Sequence, residues 1–341
     1  MERAKRNRPV DRGVACGRGC NTLRATSRYD TVMRTFLMLL LSAAGLAASS
    51  PFDGRWDITI RGDTSHAWWL SLEGAGTPHA KGTFISDHFG DLNKIDEISV
   101  NNGALTFGFR HKEDGVEIHN VYSAHLRGDQ LVGTAHREGS PEPAQEWTGV
   151  RAPVIRDKDD GSWRESQPIE LFNHKDSAGW KSLTPDKPFG WMVEDGILKS
   201  TGGASNLISE RSFWNFKLHV EFRLAPHSNS GIGLRARYEV QILDDYGKPP
   251  NTHGNGALYS RILPTENASK PAGSWQTYDI RLVGRQVTVV LNGKTVIDKG
   301  EIEGLTAIAS DANEGKPGPL MLQGDHGPVE FREIVLTPLV K

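Results

Sequence analysis

Gly231-Ile232-Gly233-Leu234-Arg235-Ala236-Arg237-Tyr238-Glu239-Val240-Gln241-Ile242 is the stretch that decides the fold. Ile232, Leu234, Ala236, Tyr238, Val240 and Ile242 share one parity. Side chains alternate across a β-strand, so a period of two predicts a strand with one face on a core. The other parity collects Gly231, Gly233, Arg235, Arg237, Glu239 and Gln241. That row is too polar to be core. It is either a solvated outer face or a face kept for a ligand. An ordinary outer face favours Thr, Lys and Glu, whereas two glycines in a strand mark a bulge or a close approach.

The same period runs outward in both directions. Leu218, Val220, Phe222 and Leu224 alternate with Lys217, His219, Glu221 and Arg223. Nearer the N-terminus, Trp56–Ile60, Ala67–Leu72 and Ala104–Phe109 read as strands, with Asn101-Asn102-Gly103 and Arg127-Gly128-Asp129 as turns. No helix-length amphipathic period is present. An all-β chain is expected: a small antiparallel meander or barrel over 52–153, a linker over 154–168, and a second β domain over 169–341. Within the linker, Arg156–Gln167 is charged and poor in aliphatic residues.

Residues 1–32 are arginine-rich and lack periodicity, so they are expected to stay out of either core. Met33 then opens an apolar run, Phe36–Leu41, which leads to the small residues of Gly45-Leu46-Ala47 and Ala47-Ala48-Ser49. This is the pattern of a secretory signal over 33–49, and it predicts a periplasmic or secreted protein with no membrane anchor after cleavage. Both cysteines, Cys16 and Cys20, precede that run, which leaves a mature chain without disulfides or thiolate metal sites. With 40 basic and 42 acidic residues, the charge balance argues against a nucleic-acid partner.

From residue 169 the motifs resemble those of the 3-keto-disaccharide hydrolase family. They run in order from Leu171-Phe172-Asn173-His174-Lys175-Asp176 and Trp191–Leu198, through Asn229-Ser230-Gly231-Ile232 and Tyr238–Asp244, to Gly256-Ala257-Leu258-Tyr259 and Asn267–Pro271. Trp275–Tyr278, Val289–Gly293, Gly318–Gln323 and Asp325-His326-Gly327 complete the series, which covers about 169–338. His174 stands where the family usually has Gly. The resemblance implies a concanavalin-like jelly-roll sandwich with the polar row on its concave sheet. It also implies a carbohydrate substrate already oxidised to a ketone at C3.

Such a ketone acidifies the C2 proton. A base removes that proton, the C1 substituent leaves, and water adds to the enone. The site needs a base, positive character at the enolate oxygen and an acid at the leaving group. Glu239 and His326 are the catalytic candidates; the plain alternatives are a salt bridge to an arginine and a turn histidine. Asn229, Arg235, Arg237, Gln241, Tyr259 and Gln323 are the candidate substrate contacts. Lys270 is placed to polarise the ketone, or is a loop charge, and Trp275 stacks on a sugar or sits in the core. No particular cofactor is implied; a divalent cation is one way to stabilise the enolate, with Asp244 as a ligand or simply the start of a turn. The loop around His253 is a candidate lid, and the histidines of 52–153 read as scattered. Two other functions compete: a non-catalytic carbohydrate-binding module, and a conventional glycosidase using Glu221 and Glu239.

Overall fold

The computed structural model describes residues 50–86, 90–113 and 115–341. The upstream segment 1–32, the expected signal over 33–49 and both cysteines lie outside the described residues. Among those described there is no helix, as the absence of a 3.6-residue period predicts.

The first body is one antiparallel sheet of nine strands. These are β1 (Gly54–Ile60), β2 (Ala67–Glu73), β3 (Lys81–Ile85), β4 (Asn93–Lys94), β5 (Glu97–Asn101), β6 (Ala104–Glu113), β7 (Val116–Arg127), β8 (Gln130–Arg137) and β9 (Gln145–Arg151). Their order in the sheet is β4-β3-β2-β1-β9-β8-β7-β6-β5. The two terminal strands of that order are separated along the chain only by Ile95 and Asp96, so Lys94 and Glu97 lie at most roughly 10–11 Å apart. The sheet must therefore roll until its ends meet. At the seam the Ile95 amide donates to the Gly82 carbonyl and the Asp96 amide to Gly108 (3.0 and 3.1 Å). Trp56, Trp68, Phe84, Phe107, Tyr122 and Trp147 fill the interior.

The second body is a sandwich of two antiparallel sheets. Its strands are β10 (Arg164–Glu165), β11 (Ile169–Glu170), β12 (Trp180–Ser182), β13 (Trp191–Glu194), β14 (Ile197–Ser200), β15 (Leu207–Phe213) and β16 (Phe216–Leu224). There follow β17 (Asn229–Leu234), β18 (Tyr238–Leu243), β19 (Gln276–Val283), β20 (Gln286–Leu291), β21 (Lys294–Glu301), β22 (Gly318–Leu322) and β23 (Val329–Val340). One sheet runs β13-β14-β23-β16-β19-β20-β21, with β10 and β11 also on β23; the other runs β12-β15-β22-β17-β18. Alternation sends Leu218, Val220 and Phe222 of β16, and Ile232, Val240 and Ile242 of β17 and β18, into the shared core. This is the expected two-sheet, all-β architecture.

Two expectations need correction. The run 231–242 is a hairpin, not one strand, because Arg235 and Ala236 both take the left-handed conformation (φ 55° and 53°). Two adjacent non-glycine residues there cost on the order of 1–2 kcal/mol each, and side-chain anchoring offsets part of this. The Arg235 guanidinium stacks on Trp214 at 3.8 Å and its Nε donates to the Trp214 carbonyl at 2.7 Å. Second, residues 157–159 are docked on the sandwich: Asp157 accepts from Trp214 and Asn215, and Asp159 pairs with Arg281 at 2.9 Å.

The two bodies also touch directly. Adjacent Trp68 and Trp69 on β2 point to opposite faces, so Trp68 enters the barrel interior while Trp69 enters the sandwich core. Arg261 lies over the Trp69 ring at 4.1 Å, and the Ala67 amide donates to the Ala309 carbonyl at 2.8 Å.

Candidate active site

The hairpin keeps the parity that the sequence predicts where it matters. Gly231 lies opposite Gln241 and Gly233 opposite Glu239. The face they share is buried, because the barrel's loops and residues 306–310 cover it, so it is neither core nor solvated surface. The glycines do not leave space for a ligand. A methyl at Gly231 would collide with Glu239 Oε1, and one at Gly233 would press on Met321. Glu239 and Met321 already fill those gaps.

Glu239 is 4% exposed. Burial pushes its carboxyl up to about 8, with Asp325 pushing the same way and His326 opposing. His326, on the loop from β22 to β23, bonds through Nδ1 to Asp325 Oδ1 at 2.7 Å, and that bond raises its pKa. Asp325 is held below its ordinary pKa, chiefly because it bonds to His326 against the opposing cost of burial. Asn206 fixes this dyad: its Oδ1 accepts from the Gly324 and Asp325 amides (2.8 and 3.3 Å), and its Nδ2 donates to Asp325 Oδ2 at 3.3 Å. The Gln323 amide donates to the Gly231 carbonyl and the Gly327 amide to Asn229 (2.9 and 2.8 Å), which ties the loop to β17.

Glu239, Asp325 and His326 line one cavity of about 150 Å³, which also takes in Asn229, Gln241, Tyr259 and Gln323. Asn229 Oδ1 and Gln323 Oε1 are buried there without a hydrogen-bond partner. Such acceptors are costly unless a donor reaches them. Burial, then Glu239, pushes the Tyr259 hydroxyl up to about 12, so it stays a neutral donor. Gln241 donates to the His253 carbonyl at 3.2 Å, and His253 pairs with Asp91 at 2.5 Å. The expected lid is thus stitched down from both bodies.

Five candidates lie elsewhere. Arg235 caps the hairpin turn, and Arg237 forks onto Asp311 at 2.9 and 3.1 Å. Lys270 Nζ donates to the Trp275 carbonyl at 3.1 Å. Trp275 is sandwiched by Arg223 and Arg332 at 4.8 and 4.4 Å. Asp244 accepts the His227 amide at 2.8 Å and starts a turn, away from the cavity. The carboxylates in the cavity do not suit a divalent cation either: burial favours protonation of Glu239, and both Asp325 oxygens are engaged. Glu221 faces outward from the opposite sheet and pairs with Arg332, so the whole sandwich core separates it from Glu239. That geometry rules out the two-carboxylate arrangement.

Several lining residues carry no periodic signal in the sequence, although Asp325 belongs to the Asp325-His326-Gly327 motif. Asn206 and Asp325 lie on loops without a period. Ser65, His66 and Gly90 reach the cavity from the barrel, where His66 bonds to Asp63 at 2.7 Å. His66 is therefore no scattered surface histidine.

An all-β sandwich with a buried carboxyl and an Asp-His dyad on one sheet face defines a class of acid–base sites. A family model for the 3-keto-alpha-glucoside-1,2-lyase-like domain matches residues 167–337, half of the chain, and the protein belongs to that family. A 3-keto-disaccharide hydrolase of Bacteroides thetaiotaomicron is 25% identical over 166 residues, covering 38% of this chain and 57% of that protein. The chain thus spans little more than half the length of this curated relative. A provisionally assigned glycosyl hydrolase of Parabacteroides distasonis is 26% identical at a TM-score of 0.44, covering 58% of this chain and 92% of that one. The carbohydrate-binding module CBM66 of Bacillus subtilis is 11% identical at a TM-score of 0.31, covering 47% and 92%.

Proposed function

We propose that the protein is an exported carbohydrate-active enzyme that cleaves 3-keto-glycosides by elimination and hydration. One observation carries the reading: Glu239 and the Asp325–His326 dyad share a cavity whose wall holds two unpartnered amide oxygens. Family membership supports the substrate class.

His326, made more basic and oriented by Asp325, takes the C2 proton. The C–H electron pair moves through the enolate into a C1=C2 bond as the C1–O bond breaks. Glu239, held neutral by burial, gives its proton to the departing oxygen. Water then adds across the enone, with hydroxide at C1 and a proton at C2 returned by His326. Glu239 recovers the proton that water gives up. Asn229 and Gln323 accept hydrogen bonds from sugar hydroxyls, and the Tyr259 hydroxyl is a neutral donor beside them.

The decisive experiment offers purified protein a glucoside and its 3-keto counterpart and follows aglycone release. Only the 3-keto compound should be cleaved. Glycan binding without release from either would favour the carbohydrate-binding module instead. Export is tested by intact mass, with a mature N-terminus expected between Ala48 and Ser50.

A further inference from the structure

The catalytic cavity is small, and a second one adjoins it. At the mouth of the barrel a cavity of about 840 Å³ lies in the usual range of small-molecule sites, ~300–1,000 Å³. Ser65 and Leu183 line both cavities, so the two spaces adjoin at these residues. Asp63 holds the chain at this junction by accepting from the Ser65 amide, the Ser65 hydroxyl and the His66 amide (2.7, 2.9 and 3.1 Å).

The lining of the larger cavity suits a sugar. Trp68, Ile118 and Ala135 supply apolar surface for one face of a pyranose, and Asn120 supplies an amide. Ser86 also lines it. Its hydroxyl is buried, the residue being 1% exposed, and it has no hydrogen-bond partner. A hydroxyl left unpaired beside a cavity of this size marks a place where a ligand donor or acceptor completes the site.

We propose that the barrel mouth is the subsite for the leaving-group half of the glycoside, a second sugar ring, while the oxidised ring sits at Glu239. The inference rests on the glycoside-cleaving reading of the Glu239 site. A cavity of about 150 Å³ takes the reacting ring only, and the substituent on C1 has to enter the space next to it. The barrel, which lies outside the stretch matching the family, thereby becomes the part that selects the aglycone.

The test compares kcat/KM for a 3-keto disaccharide and for methyl 3-keto-glucoside in the wild type and in the double variant Ser86→Ala, Asn120→Ala. The preference for the disaccharide should fall about tenfold, as loss of hydrogen bonds in a specificity pocket does. An unchanged preference in a folded variant overturns the proposal. If the wild type cleaves neither compound, the catalytic reading fails and calorimetric titration with an unoxidised α-linked glucose disaccharide decides the subsite. Binding that survives Glu239→Gln and weakens at least tenfold in the double variant supports the subsite. No binding in the millimolar range, or equal binding by all three proteins, overturns it.

Discussion

The carboxylate of Glu239 lies over the backbone of Gly231, in the space that any Cβ there would occupy. The glycine on β17 is therefore the seat of the carboxyl on β18. Gly231→Ala should displace Glu239 while leaving the sheet intact. A misplacement on this scale costs about 10²-fold in kcat, and overpacking destabilises by about 1–3 kcal/mol. Kinetics with circular dichroism checks both; wild-type turnover in a folded variant would remove Glu239 from the mechanism.

Glu239→Gln keeps the shape and removes the proton donor. On a 3-keto-glucoside, kcat should fall by on the order of 10²–10⁴-fold, as loss of an acid–base group does. Substrate binding, measured separately, should persist.

The pH profile should be a bell. Activity rises as His326 loses its proton, above its usual value because of Asp325, and falls as Glu239 ionises at about 8. Asp325→Asn removes the partner that raises His326 and a charge that raises Glu239. Both limbs should move to lower pH, and a fixed acid limb would count against His326 as the base.

Asp57 is buried where the bodies meet, and burial together with Glu314 pushes its carboxyl up to about 9. The folded state then holds a proton that the unfolded chain releases from about pH 4 upward. Wild-type stability should decline as pH rises from there towards 9. Asp57→Asn has no proton to hold, so its Tm should fall less steeply between pH 5 and 9. Parallel melting curves would show that Asp57 does not carry the effect.

Trp69 couples the bodies through the sandwich core. Trp69→Ala should cost about 3–5 kcal/mol. Calorimetry should show the transition of the sandwich moving down in temperature, although the substitution lies outside it in sequence. A shift confined to the barrel would refute the coupling.

Much of this was legible from alternation alone. The strands around Leu218–Leu224 and Ala67–Leu72, and the grouping of Glu239 with Gln241, follow from period two. The turn at Arg235-Ala236 was not, since it contains no Gly, Asn or Pro, and its left-handed backbone is held by Trp214, far away in sequence. Asn206 and Asp325 meet only because two loops fold together. Alternation separates Trp68 from Trp69, but which faces are buried depends on a partner body that begins a hundred residues later.

The neighbouring tryptophans of β2 also constrain how the chain can vary in length. Inserting or deleting one residue ahead of them would turn the strand over and exchange Trp68 and Trp69 between two interiors of different shape. The surrounding loops can absorb such changes at the surface. In chains that share both bodies, alignment gaps should therefore gather in the turns on either side of β2 and spare 67–72 itself.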